Sequence, residues 1–296
     1  MAGKLARSWA LTKQAWSILR DDKRLLIFPI ISGTLVTLLI CSTLVGVIAA
    51  VSVFETPGGG AEDSFDQFVQ EYGALKWPAL FVLYLVTHFI ITFFQAALMA
   101  CALMKMDGQR PSVRAGLKVA SSRLPQIFGW SLVNATVGLA LQMLQERVGF
   151  LARLFLGAAS IVWNIATFFV VPVLVLEGVG PIEAVKRSTG AIKKTWGESL
   201  ITQFGFSAVT SLIGLAVFLL LAGGGIGLSI ATESYMPVAI MLPLAVIAII
   251  LLAIVQSAMK TLLVAATYRF ASTGAAPGPF DAETLRGVFQ HKRLRR

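Results

Sequence analysis

His88 stands 12 residues into a stretch, 77–104, that carries no charged side chain. Asn134 and Asn164 hold similar places in the charge-free stretches 124–145 and 154–176, while Gln95, Gln203 and Gln256 lie less centrally in theirs. Polar and ionisable groups this deep in apolar sequence are costly in a membrane and point by default to a functional site. The chemistry they offer is a shared polar cavity or a proton-coupled path. The same groups also suit plain interhelical hydrogen bonds, worth ~0.6 kcal/mol per pair. The absence of an acid at the depth of His88 favours the second role. Lys260 poses a sharper question. It snorkels to the interface if its helix starts at Pro237, and needs a buried partner if the span ends at Arg269. Glu177, at the inner end of stretch 154–176, is the acid nominated for that partnership.

Motifs for catalysis are missing from the sequence. With only two histidines, His88 and His291, no His-x-x-x-His zinc pair can form. There is no Gly-x-x-x-x-Gly-Lys-Ser/Thr phosphate loop and no Gly-x-Ser-x-Gly elbow. The run Gly223-Gly224-Gly225-Ile226-Gly227 sits in an apolar stretch with no strand before it, so close helix packing or a local break is expected there. The expectation is a protein with no enzymatic activity, no cofactor and no metal site.

The elements that must position these residues follow from charge spacing. Six stretches lack any charged residue: 25–54, 77–104, 124–145, 154–176, 199–232 and 234–259. A helix needs roughly 20 apolar residues to cross a ~30 Å hydrocarbon core. Runs this long and unalternating are helical, not barrel strands. The chain is expected to be an all-α, polytopic integral membrane protein in one domain, 1–296. Its six spans are placed near 25–53, 77–104, 126–144, 154–176, 200–231 and 237–268. Hydrophobic residues make up 56% and charged residues 14%, against roughly 25% charged in soluble domains. Cys41 and Cys101 both fall inside spans, so no disulfide framework is expected. The apolar run after Arg24 is too long for a cleaved signal peptide.

The net charge of +10 is distributed unevenly. Of 25 basic residues, 22 lie before span one, in the second and fourth loops, or around and beyond the end of span six. The other side holds only Lys76, Arg147 and Arg153, beside Glu55, Glu62, Asp63, Asp66 and Glu71. The positive-inside rule then places both termini in the cytoplasm. Basic residues beside spans set topology and touch anionic headgroups; Arg7, Lys13, Arg114, Lys118, Lys186, Lys193 and Lys194 are the candidate lipid contacts. Nucleic acid is not expected as a partner.

A Gly-x-x-Pro signal recurs at Asp107-Gly108-Gln109-Arg110-Pro111, Glu177-Gly178-Val179-Gly180-Pro181 and Thr273-Gly274-Ala275-Ala276-Pro277. Glycine suits a helix C-terminal cap and proline the first turn of the next helix. Apolar stripes follow: Ile182, Val185, Thr189, Ile192 and Trp196 in one segment, and Val113, Leu117, Ala120 and Leu124 in another. Leu5, Trp9, Trp16 and Leu19 form the N-terminal counterpart. These spacings predict amphipathic interfacial helices near 4–20, 112–124 and 181–196, and a basic tail at 277–296. The expected architecture is one helix–span–span unit used three times.

The stretch Thr167-Phe168-Phe169-Val170-Val171-Pro172-Val173-Leu174-Val175-Leu176-Glu177-Gly178 continues through Ala184-Val185-Lys186-Arg187-Ser188 to Lys193-Lys194-Thr195-Trp196-Gly197. With Ser8-Trp9, Leu19-Arg20-Asp21-Asp22-Lys23-Arg24-Leu25, Phe28-Pro29 and Tyr268-Arg269-Phe270-Ala271, it resembles a group of uncharacterised bacterial six-span proteins. That group is similar to the membrane region attached to some glycerophosphodiester phosphodiesterases. The resemblance implies a bacterial inner-membrane location and supplies no activity; the phosphodiesterase catalytic domain is absent from this sequence. The expected role is non-catalytic, acting through lipid or protein contacts at the basic cytoplasmic face. The alternative is a transporter or channel for a small solute or lipid, with a polar site near the bilayer midplane.

Overall fold

The computed structural model describes residues 2–53, 61–195, 209–274, 277, 278 and 280, and among these residues every regular element is helical. The elements are α1 (Ala2–Asp21), α2 (Ile27–Ser52), α3 (Ala61–Tyr72), α4 (Lys76–Met106), α5 (Val113–Ser122) and α6 (Leu124–Arg147). They continue with α7 (Phe150–Ala166), α8 (Val170–Glu177), α9 (Pro181–Thr195), α10 (Val209–Ala231) and α11 (Met236–Thr273). Six helical segments are long and apolar enough to cross a membrane: Lys23–Ser52, Glu62–Met106, Leu124–Arg147, Leu151–Glu177, Val209–Ala231 and Met236–Thr273. Each overlaps one charge-free stretch. The start of the expected span 200–231, together with Trp196 and most of the tail 277–296, lies outside the described residues. One helix was not foreseen. The acidic loop after α2 folds into α3, whose Glu62 and Asp63 sit in the first turn, where the helix dipole favours anions.

The described residues group into two compact units. The first draws on Met1–Pro29, Ala97–Leu117 and Thr189–Arg296. In it α1 packs on α11 and buries Leu11, Ala15, Ile18 and Leu19. At 38 residues, α11 is ~57 Å long at ~1.5 Å per residue, nearly twice the ~30 Å core. Its C-terminal third, including Ala258, Met259 and Thr261 to Ala266, is buried in protein. The glycine run in α10 does what its composition predicts. One π turn, Leu219–Gly223, precedes it, and a Cβ on Gly225 would meet Met241 Cβ at 3.0 Å. Nearby, Gly116 of α5 lies so close to α4 that an added Cβ would meet Cys101 Sγ at 2.5 Å and the Ala97 carbonyl oxygen at 2.7 Å.

The second unit draws on Ile30–Ala96 and Lys118–Ser188. Here α6 and α7 pack together, and the fourth apolar segment is broken between α7 and α8. Pro172 has no N–H to give the Phe168 carbonyl, but it is tolerated in the first turn of a restarted helix. Ser188 of α9 repairs the break. Its hydroxyl donates to the Ala166 carbonyl at 2.7 Å and accepts from the Phe169 N–H at 3.0 Å.

Gly108, Gly178 and Gly274, the glycines of the recurring signal, all have positive φ (76°, 64° and 71°). All three therefore end their helices in the left-handed geometry that a Cβ disfavours. The stripes expected on the short helices are divided between buried and exposed positions: Leu19, Ala120 and Ile192 are buried, and the other described members are not. On α9 the buried positions are Ala184, Ser188 and Ile192, while Ile182 is 68% exposed. On α5 they are Gly116 and Ala120, and Leu124, just beyond its end, is exposed. On α1 Trp16 is 47% exposed, and the side chains of Leu5 and Trp9 lie outside the described residues. Small side chains face the protein because they let helix backbones approach closely.

Two substitutions test these junctions. Gly116→Ala should cost about 1–3 kcal/mol of stability, because one clashing atom is backbone; Gly33→Ala, with open space around it, should not. Ser188→Ala should cost about 1–3 kcal/mol by removing the hydroxyl that joins the Ala166 carbonyl and the Phe169 N–H. Thermal unfolding of the full chain in detergent measures each.

Candidate functional site

Three of the residues singled out by depth, His88, Asn134 and Asn164, line one cavity of about 390 Å³ in the second unit. Helix geometry brings them together. Tyr84 and His88 are one turn apart on α4 and Ser160, Trp163 and Asn164 share a face of α7. Asn134, Gly138, Gln142 and Gln145 repeat at near-helical spacing on α6. The lining of α6 extends from Asn134 to Gln145, ~17 Å along the axis. It thus runs from mid-helix toward the end that carries Glu146 and Arg147. That end is tied by Lys76 to Glu146 at 4.0 Å and by the Arg153 Nε–H, which donates to the Gln145 carbonyl at 3.0 Å. On the opposite side of Asn134, the Trp130 and Trp163 rings stack at 6.1 Å with 19° between planes, and Trp130 is buried.

The polar core is a relay of three side chains. Trp163 Nε1–H donates to Asn134 Oδ1 at 3.1 Å, and Asn134 Nδ2 lies 3.1 Å from His88 Nδ1. An indole nitrogen only donates, so the amide must turn its oxygen toward Trp163. Its NH2 then faces His88, and Nδ1 must accept. This orientation requires the neutral imidazole with its proton on Nε2. The Tyr84 ring lies 4.7 Å from the imidazole, tilted by 59°. Room for it comes from Gly138, where a Cβ would approach Tyr84 Cε1 to 2.9 Å.

The cavity is polar without being ionic. Among the described residues no carboxylate, lysine or arginine lines it, and its amides come from Asn134, Asn164, Gln142 and Gln145. Asn164 is exposed. Such a lining can exchange hydrogen bonds with hydroxyl, carbonyl or amide groups and stack against aromatic rings. Among the described residues no group of three or more His, Cys, Asp or Glu side chains is placed to hold a metal. Sequence depth alone missed Tyr84, Gly138, Gln142, Gln145 and Trp163. The near-helical run of polar and small positions at 134, 138, 142 and 145 is the signal that carried the α6 members; Tyr84 and Trp163 had none.

The remaining candidates fall elsewhere. Arg187 holds Glu177 in an ion pair and also reaches Glu183, Nε to Oε1, at 3.0 Å. The Glu177 hydrogen bond raises the Arg187 pKa further above its ordinary value, so its charge persists at any pH at which proteins stay folded. Exposed pairs of this kind contribute little net stability. Lys260 is exposed, although Met259 and Thr261 beside it are buried. Lys13, Arg114, Lys118 and Lys186 are exposed as well. The side chains of Arg7, Lys193 and Lys194, and all of Gln203, lie outside the described residues.

The tautomer can be measured directly, since His291→Gln leaves His88 as the sole imidazole. Its 15N spectrum should show a protonated Nε2 and a bare Nδ1. Asn134→Leu should abolish that preference, whereas a protonated Nδ1 in the unmodified relay would contradict the geometry.

No curated protein matches the chain, and no solved structure does. Residues 74–278 match a family described as being of unknown function. This stretch holds α4, every described residue lining the polar cavity and every element from α5 to α11. The chain therefore belongs to the DUF6159 family of unknown function.

Proposed function

We propose that this protein is a non-catalytic membrane protein that takes an uncharged polar group, from a small solute or a lipid, into the cavity between α4, α6 and α7. One observation carries the reading: amide, indole, phenol and imidazole groups from three apolar helices converge on one cavity with no charged lining among the described residues. The relay pairs His88, Asn134 and Trp163 with one another, yet space remains beside them, which a closely packed bundle would have filled. At about 390 Å³ the cavity sits at the small end of ligand sites, which span ~300–1,000 Å³. Convergence of this kind favours transport or solute binding over contacts at the basic face alone. The stacked Trp130–Trp163 pair supports a cavity closed on one side, as in a binding site that opens to one face at a time.

The topological frame of this proposal comes from charge. Both termini face the cytoplasm of a bacterial inner membrane, so the end of the cavity near Gln145 faces outward. Helices α1, α5 and α9 lie in the cytoplasmic interface. There Lys13, Arg114, Lys118 and Lys186 meet anionic headgroups, and Lys260 snorkels to the same level. The exposed bulky apolar residues Trp16 and Ile182 suit that depth. Three helix–span–span units, beginning near residues 4, 112 and 181, account for the three left-handed glycine caps. The similarity to membrane regions beside some glycerophosphodiester phosphodiesterases suits a role that is not itself catalytic.

Thiol labelling tests the cavity. Cys101 is buried, so a Cys41→Ala background leaves no accessible thiol. In proteoliposomes of fixed orientation, Gln145→Cys and Asn164→Cys should react with a membrane-impermeant maleimide from the outer face only. Adding Gly138→Leu, which fills the cavity, should slow the Asn164→Cys reaction about tenfold or more. An Asn164→Cys thiol that stays inert, or reacts equally from both faces, would remove the reading.

A further inference from the structure

The first unit contains a second and larger cavity, of about 790 Å³, whose chemistry is the opposite of the polar one. It is a groove between α10 and α11, roofed at one end by α1. On α11 the lining runs from Ala248 to Met259, 11 residues along one face, or ~17 Å. On α10 it runs from Val209 to Val217 in the opposite direction. The positions between are aliphatic, and Gly214 widens the middle, where an added Cβ would stand 3.2 Å from Leu252 Cδ2. The polar members are confined to one end: Thr12 and Lys13 on α1, Thr210 on α10 and Gln256 on α11. Trp16 stands beside them.

This is the outline of an amphiphile. A groove ~17 Å long matches half of a ~30 Å hydrocarbon core, the depth of one leaflet. Its polar mouth carries a cation: Lys13 is exposed and makes no ion pair or hydrogen bond among the described residues. A tryptophan beside a lysine is the pairing found at headgroup level. We propose that this groove holds one acyl chain of an anionic glycerophospholipid, with the headgroup phosphate at Lys13. The site is independent of the polar cavity and lies wholly within the first unit.

The test uses the full chain, delipidated in mild detergent and titrated with phosphatidylglycerol or phosphatidylcholine of identical acyl chains. Native mass spectrometry counts the lipids retained. One phosphatidylglycerol per chain should survive activation that strips all others, and it should be preferred over phosphatidylcholine. Lys13→Gln should lower that preference about fivefold while leaving a lipid bound. Gly214→Phe should lower retention of either lipid by tenfold or more. If Gly214→Phe does not fold, Val217→Trp fills the far end of the groove and reads the same loss. No preferentially retained lipid would overturn the proposal. So would equal retention of the two headgroups by the unmodified chain, or retention unchanged by both the groove-filling and the Lys13 substitutions.

Discussion

In apolar surroundings a backbone amide has no water to fall back on, and each unpaired N–H or C=O costs several kcal/mol. The helical architecture follows from that constraint, and so do the exceptions to it. Where the fourth apolar segment breaks between Ala166 and Val170, the Ser188 hydroxyl replaces the two lost partners with a donor and an acceptor. Where α10 loosens into a π turn, the glycines after it let α11 come close. Where helices end, Gly108, Gly178 and Gly274 turn the chain without leaving a Cβ in a strained position. Each of these three irregularities has a nearby group that satisfies or accommodates it.

The polar cavity obeys the same accounting at the level of side chains. Asn134 spends its oxygen on Trp163 and its NH2 on His88, so the amide settles both its own orientation and the proton position on the imidazole. Trp163 also stacks on Trp130, which fixes the donor that starts the relay. These contacts hold a polar surface open between three apolar helices. Without them, aliphatic side chains at the same places would close on one another.

Helix approach in both units relies on small residues. Ala97, Cys101 and Gly116 bring α5 onto α4. Ala184 and Ser188 bury the inner face of α9, and Ala15 helps α1 onto α11. Bulky apolar side chains such as Ile182 and Trp16 are left on the outside. In a soluble protein this would invert the usual order of burial. Beside lipid it does not, because a hydrocarbon surrounding removes the penalty for exposing them.

Much of this was legible from charge spacing alone. A charge-free, apolar and unalternating run of 22 or more residues reads as a helix, so the six segments long and apolar enough to cross a membrane were readable without coordinates. The left-handed caps were readable too, since only glycine sits there without strain. The depth of His88, Asn134 and Asn164 followed from counting residues at a fixed rise. Which faces meet could not be read, because a helix apolar on all sides has no stripe to orient it. The tertiary structure therefore decided that these three residues share a cavity, that Trp163 and Tyr84 join them, and that Glu177 pairs with Arg187. It also decided which members of each short helix face inward: Leu11, Ala15, Ile18 and Leu19 on α1, and Ala184, Ser188 and Ile192 on α9. The physical reason is one of direction: sequence sets how deep a residue sits along its helix, and only the packing of neighbouring helices sets which way it points.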